Sequence, residues 1–223
     1  MREPIAWEYV GLCAYEHALT LQETRWCARR QGGPDSCIAL EHPPTITLGR
    51  RAGLVDLRAP REALAAAGVG CVSTDRGGRA TYHGPGQLVL YPIVGLKARG
   101  FTVGEFVSTL EAIMIEIAAA FGVQACRDRR GRGVWTERGK LGAVGIRIRD
   151  GISAHGLALN VTTDLRPYNL IVPCGMSDVA VTSLVREGAR GASVAAAVPV
   201  AQRACEELLS GRGDLWLAEE ASL

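Results

Sequence analysis

The residue types able to do chemistry gather in four short stretches. The densest is Arg76-Gly-Gly-Arg-Ala-Thr-Tyr-His-Gly-Pro-Gly-Gln87, with four glycines and a proline in twelve residues between two apolar runs. Glycine permits positive φ and close backbone approach, so such a loop can offer several N–H groups to a ligand. Its polar side chains (Arg76, Arg79, Thr81, Tyr82, His83) are too many for a plain turn. The second stretch is Pro173-Cys174-Gly175, a thiol held between two turn-forming residues, where a nucleophile could be exposed and aimed. The third is Gly139-Lys140-Leu-Gly-Ala-Val-Gly145, and the fourth is Ala154-His155-Gly-Leu-Ala-Leu-Asn160. Taken singly, each has an ordinary reading: a tight connection, an inert thiol, a surface ammonium, a structural histidine. A nucleotide loop is excluded, because Gly139-Lys140 runs into Leu141 and position 134 is Val, and no G-x-G-x-x-G opens a helix.

These stretches need elements to hold them. Trp7–Val10, Ser36–Leu40, Thr45–Leu48, Val69–Ser73 and Gln87–Val94 read as strands. Tyr15–Arg30 has helical spacing, with Ala18, Leu19, Trp26 and Cys27 on one stripe and Gly32-Gly33-Pro34 as its stop. Arg61–Ala67 is a short helix, and Glu105–Phe121 is the strongest one, ended by Gly122. Val134–Val161 is rich in β pattern. Ile146–Arg149 alternates with period two, and Asp150-Gly151 is a hairpin turn. Gly142 is expected to loosen its strand. A last helix spans 194–209 with Ser193 as cap, and Pro199 demands a late start or a kink. Strands and helices mix without strict alternation. The fold class is therefore α+β (mixed α/β), a mixed sheet flanked by helices in a single domain over residues 1–223.

Composition limits the partners. The 223 residues include 48% hydrophobic and 22% charged residues, ordinary for a globular chain. With 25 basic and 23 acidic residues, bulk charge gives no reason to expect nucleic acid. No apolar run is long enough for a membrane span. The residues Met1–Val10 do not read as a signal peptide. The seven cysteines are odd in number and at least ten residues apart, which disfavours both disulfides and structural zinc, so no metal is expected. A reducing cytoplasm suits them, with most of the thiols buried. Only Lys97 and Lys140 are lysines in this arginine-rich chain, so a retained ammonium invites a specific reason.

Together the four stretches resemble the octanoyltransferases of lipoate biosynthesis. R-G-G-x-x-T-x-H-G-P-G-Q-L at 76–88, G-K at 139–140, H-G-x-A-L-N at 155–160 and P-C-G at 173–175 follow in that order. Leu40-Glu-His-Pro43, Gly49-Arg-Arg51, Ser177-Asp178 and Val181–Leu184 extend the likeness over about residues 37–185. The resemblance implies the biotin/lipoate ligase catalytic fold. It also implies a two-step transfer of octanoate from the phosphopantetheine of octanoyl-acyl carrier protein, through a thioester on Cys174, to a lysine of a lipoyl domain or of the glycine-cleavage H protein. Lys140 would be the cation that keeps Cys174 ionised. Arg76, Gly77, Gly78, Arg79, Ala80, Thr81, Tyr82 and His83, with Ala143, Val144, Gly145, Gly156, Leu157 and Ala158, would border the acyl and carrier pocket. His83 and His155 would shape it through hydrogen bonds, and backbone N–H groups of the 76–83 loop or near Gly175 would face the oxyanion. No cofactor is implied, because exchange between thioesters is nearly isoenergetic and thioester to amide is downhill. The basic run Arg127–Arg132 reads as a solvated loop, and its Arg129, Arg130 and Arg132 could steer an acidic carrier. Two rivals remain: an ATP-dependent lipoate or biotin ligase of the same fold, and a module that binds acyl groups or carriers without reacting.

Overall fold

Asp150 and Gly151 both take positive φ, 52° and 73°. This is the two-residue geometry that matches the twist of a tight hairpin. It joins the two longest strands, β9 (Gly139–Arg149) and β10 (Ile152–Asn160), in a continuous antiparallel register from Ile152 opposite Arg149 to Leu159 opposite Gly142. The computed structural model describes residues 4–172 and 179–210. Positions 173–178, with Cys174 and Gly175, lie outside the described residues.

Around that hairpin the sheet grows in both directions. The other strands are β1 (Ala6–Leu12), β2 (Ser36–Glu41), β3 (Thr45–Leu48), β4 (Gly70–Ser73), β5 (Ala80–His83), β6 (Gln87–Ile93), β7 (Cys126–Asp128) and β8 (Gly131–Thr136). Seven of the ten form one sheet in the order β1-β2-β6-β10-β9-β8-β7, parallel only between β1 and β2. The remaining three form a small sheet, β4-β3-β5. The fold is the mixed, helix-flanked type the sequence predicts. The run Arg127–Arg132 is not a loop, however: it forms the ends and turn of the β7–β8 hairpin.

The helices are α1 (Tyr15–Arg30), α2 (Arg61–Ala66), α3 (Leu96–Arg99), α4 (Val103–Ala120) and α5 (Val194–Leu209). At the start of α4, Thr102 and Glu105 form a reciprocal capping box that satisfies two otherwise orphan N–H groups. Its apolar stripe, Phe106, Leu110, Ile113, Met114 and Ile117, is buried with α5 against one face of the large sheet. Gly142 lies at this crossing. A Cβ there would meet Met114 Sδ at 2.5 Å, so the glycine admits the helix rather than loosening the strand. α5 does not start late: it begins at Val194, where Ser193 Oγ accepts from Ala196 N–H, and it contains Pro199. Burial of Val194, Ala197, Ala201, Ala204, Cys205 and Leu209 offsets the backbone hydrogen bond that proline cannot make.

The opposite face of the large sheet carries α1, whose buried stripe is Tyr15, Ala18, Gln22 and Trp26; Leu19 and Cys27 are only half-buried. Of the six described cysteines, Cys13, Cys37 and Cys205 are buried, Cys27 and Cys71 half-buried and Cys126 exposed, so fewer thiols are hidden than composition predicts.

Candidate active site

The small sheet leans on the large one, and a cavity of about 340 Å³ lies between them. Lys140 is the second residue of β9 and is buried. Its Nζ donates to Arg132 O at 2.6 Å and lies 4.8 Å from the centre of the Trp135 ring. Its backbone is fixed from the other side: Lys140 N–H donates to Ala180 O, and Thr182 N–H donates to Lys140 O, both at 2.9 Å. The ammonium therefore enters the cavity from a rigid strand, with a π face and a carbonyl as near partners.

The glycine-rich loop is fixed by its own arginine. Arg76 is buried, and its guanidinium donates to Thr47 Oγ1 and O, to Gly77 O and to Arg79 O at 2.7–3.1 Å. A second strap lies along it: Gly49, Arg50 and Arg51 donate their N–H groups to Arg79 O, Arg76 O and Gly78 O. Gly49 must be glycine here, since a Cβ would sit 2.6 Å from Gly78 O. Gly77 N–H donates to Ile146 O at 2.8 Å, so it is not a donor for an oxyanion.

His83 is held in one tautomer. Gln87 Nε2 donates to Tyr82 O and Asn160 Oδ1, which leaves Gln87 Oε1, 2.7 Å from His83 Nδ1, to accept from that ring nitrogen. Nε2 then carries the lone pair, facing the Thr47 hydroxyl at 3.4 Å, while that hydroxyl oxygen accepts from Arg76. Burial, with His42 and Arg76 nearby, holds the His83 pKa well below the ordinary imidazole value, so the ring is neutral. His42 is similar. It donates from Nδ1 to Cys13 O and accepts from the Tyr91 hydroxyl, both at 2.7 Å, and burial lowers its pKa to about 4.

His155 takes φ +57°, rare for a side chain with Cβ, and Gln22 Oε1 accepts its N–H at 2.7 Å. Its Nε2 lies 2.7 Å from Asp75 Oδ1, and its Nδ1 is buried without a partner among the described residues. The carboxylate would raise the pKa, but Arg147 pairs with that same Asp75. Burial dominates and, with Arg76 and Arg147, lowers the value to about 4.

Most of the predicted residues come together. Arg76, Gly78, Arg79, Ala80, Thr81, His83, Lys140, Ala143, Val144, Gly145, His155, Gly156, Leu157 and Ala158 all line the cavity. Gly77 and Tyr82 do not. Tyr82 turns into the core of the small sheet, edge-on to Tyr168 at 5.5 Å, where burial raises its pKa to about 12. Gly156 is required by packing, because a Cβ would fall 2.1 Å from Leu90 O. Cys174 lies outside the described residues. Tyr15, Arg51, Val89, Tyr91, Arg130, Gly131 and Arg132 complete the lining. Of these, Arg51 belongs to the Gly49-Arg-Arg51 stretch and Arg130 and Arg132 to the basic run singled out in the sequence, whereas Tyr15 opens the first helix outside its predicted stripe. No group of three or more possible metal-ligating side chains occurs among the described residues, and no described helix is long and apolar enough to cross a membrane.

The chain that builds this mixed sheet and its cavity belongs to the lipoyl protein ligase A/B catalytic domain family, matching it over residues 14–206. Within the family its relatives are octanoyltransferases, and the chain is an acyltransferase enzyme. It is 52% identical to the octanoyltransferase of Desulfotalea psychrophila over 182 residues, covering 80% of this chain and 82% of that one. It is 44% identical to a mitochondrial octanoyltransferase of Arabidopsis thaliana over 191 residues, 84% and 81% of the two chains. Among solved structures, a bi-partite lipoate protein ligase from Thermoplasma acidophilum shares the fold with a TM-score of 0.73 at 15% identity, covering 93% of this chain and 85% of that one. A lipoate-protein ligase A bound with ATP has a TM-score of 0.72 at 14% identity, covering 95% and 89%.

Proposed function

We propose that this octanoyl transfer of lipoate biosynthesis proceeds through a thioester on Cys174, from octanoyl-acyl carrier protein to a lysine of a lipoyl domain or of the glycine-cleavage H protein, without ATP or a cofactor. The Cys174 thiolate attacks the octanoyl carbonyl. The new C–S bond forms as the old one breaks, and the departing pantetheine sulfur takes a proton. The acceptor amine then attacks the Cys174 thioester, an amide forms as its N–H proton passes to the Lys140 amine that gave one to the pantetheine sulfur, and the cysteine thiolate is released.

The observation that carries this reading is the setting of Lys140. Its ammonium reaches a cavity walled by Val144 and Leu157, and its backbone is bonded to Ala180 and Thr182, in the described chain that follows the segment bearing Cys174. A free thiol is only a few per cent ionised near neutrality. A cation within about 4–6 Å lowers its pKa by roughly one to three units. The apolar wall suits an eight-carbon tail, at about 0.8 kcal/mol for each buried methylene before the costs of binding. Cytoplasmic chemistry fits the reduced cysteines.

The test is transfer from octanoyl-acyl carrier protein to a lipoyl domain without ATP, followed by intact mass. One octanoyl adduct is expected on the enzyme, lost in Cys174→Ala and retained in Cys126→Ala, which removes the exposed competing thiol. A requirement for ATP and free octanoate would turn the reading to a ligase. A noncovalent complex alone would turn it to a binding module.

A further inference from the structure

The cavity is unusual in its charge. Its described lining holds Arg51, Arg76, Arg79, Arg130, Arg132 and Lys140, and no aspartate or glutamate. The whole chain is only +2, so this is a local concentration of positive field, which a low-dielectric cleft focuses on an anion. An octanoyl tail brings no negative charge. Lys140 and Arg76 are buried deep and engaged with protein groups. The other four are at the surface and sit on two opposed structures.

One lip is the double strap of residues 49–51 and 76–79, tied by the three backbone hydrogen bonds described above, and it presents Arg51 and Arg79. The other is the β7–β8 hairpin, which presents Arg130 and Arg132. Each lip has one arginine held by short side-chain hydrogen bonds and one without them among the described residues. Arg79 Nε donates to Asp56 at 2.8 Å. Arg130 is bonded to Asp128 through Nε and Nη2 and stacks over Trp135 at 4.3 Å. Arg51 has no side-chain hydrogen bond or ion pair among the described residues. Arg132 only grazes the Glu111 carboxylate at 3.8 Å, with its side chain 67% exposed. Guanidinium forks on two sides of an opening match a phosphate, which accepts paired hydrogen bonds from several directions.

We propose that the two arginine lips form a phosphate clamp at the mouth of the cavity, in which Arg51 and Arg132 grip the phosphate group that the acyl donor carries at the end of its arm. The inference rests on the thioester-donor reading above and adds to it the place where the donor's charge is read. It gives the Arg129–Arg132 run a narrower role than general steering, with Arg51 as partner from the facing lip.

The full-length enzyme is assayed with two small donors, S-octanoyl-4′-phosphopantetheine and S-octanoyl-pantetheine, and a lipoyl domain as acceptor. The wild type is expected to favour the phosphorylated donor by about tenfold in kcat/KM, carried by KM, as for one or two charge-assisted contacts at a partly exposed site. In Arg51→Ala/Arg132→Ala that preference falls toward one, and in the wild type it shrinks as salt rises. Equal use of the two donors by the wild type, or a preference that survives both substitutions, overturns the clamp, while transfer from the unphosphorylated donor still upholds acyl transfer itself. If neither thioester donates, the transfer reading falls and the clamp falls with it. If ATP blocks transfer from S-octanoyl-pantetheine more strongly than 4′-phosphopantetheine does, the site belongs to a nucleotide and the proposal is overturned.

Discussion

Acid should loosen this enzyme through its neutral histidines, and His42 is the cleanest case. It is fully buried, with Nδ1 donating to Cys13 O and Nε2 accepting from Tyr91, so protonation would break the second bond and bury a charge. Its folded pKa is about 4 against an ordinary 6.5. The folded value is depressed, so its contribution is fully present above the unfolded pKa and is lost as pH falls from 6.5 toward 4, where the unfolded chain binds a proton that the native chain refuses. Between pH 8 and pH 5 the loss is about 2 kcal/mol for one such group. His155, with the same folded value, doubles it to about 4 kcal/mol, and the depressed His83 adds in the same direction. Urea unfolding at pH 8 and pH 5 measures the difference directly. His42→Asn, which keeps a donor and an acceptor but cannot titrate in this window, should recover about 2 kcal/mol of the acid loss whatever its stability at pH 8. An unchanged pH 8 to pH 5 difference in that variant would show that His42 is not a proton-refusing group, and the reasoning from burial would fail.

Two further outcomes test the site and its packing. Lys140→Met should move the alkylation pH profile of Cys174 upward by one to three units, whereas Lys140→Arg keeps the thiol reactive but slows transfer; an unmoved profile in the Met variant removes Lys140 from its proposed role. Gly156→Ala drives a Cβ to 2.1 Å from Leu90 O and 2.7 Å from Pro92 Cδ, both in β6. It should cost about 3 kcal/mol or more in urea unfolding, and wild-type stability would contradict the close strand packing described.

Local rules made much of the frame legible. Asp150-Gly151 announces its turn because few sequences tolerate two successive positive φ values. Tyr15–Arg30 is bounded as predicted, since Gly32-Gly33-Pro34 cannot prolong it. The β7–β8 hairpin was hidden because Arg127–Arg132 has no apolar alternation; its register depends on Glu111, far away in sequence, which accepts Gly133 N–H and pairs with Arg127. Gln22 was equally silent: a polar residue in a buried helical stripe makes sense only when the strained amide of His155 is seen beside it. In the site, the motif residues converge as spacing alone could not foretell. Among the described ones the exceptions are Gly77, whose N–H is taken by Ile146 O, and Tyr82, whose alternation along β5 turns it away from its neighbours Thr81 and His83. Arg51 lies some 25 positions from the loop it flanks, and only the backbone strap unites them.

β9 divides its labour along its length. Lys140, at its beginning, is stitched on one side to β8 and on the other to residues 180–182, so that end is anchored twice. Ala143, Val144 and Gly145, further along the same strand, form the wall of the slot. If the proposed transfer seats its acyl tail here, wall residues such as Val144 and Leu157 can be exchanged with Lys140 left in place. Under the proposed function, chain-length preference and reactivity would be separately adjustable.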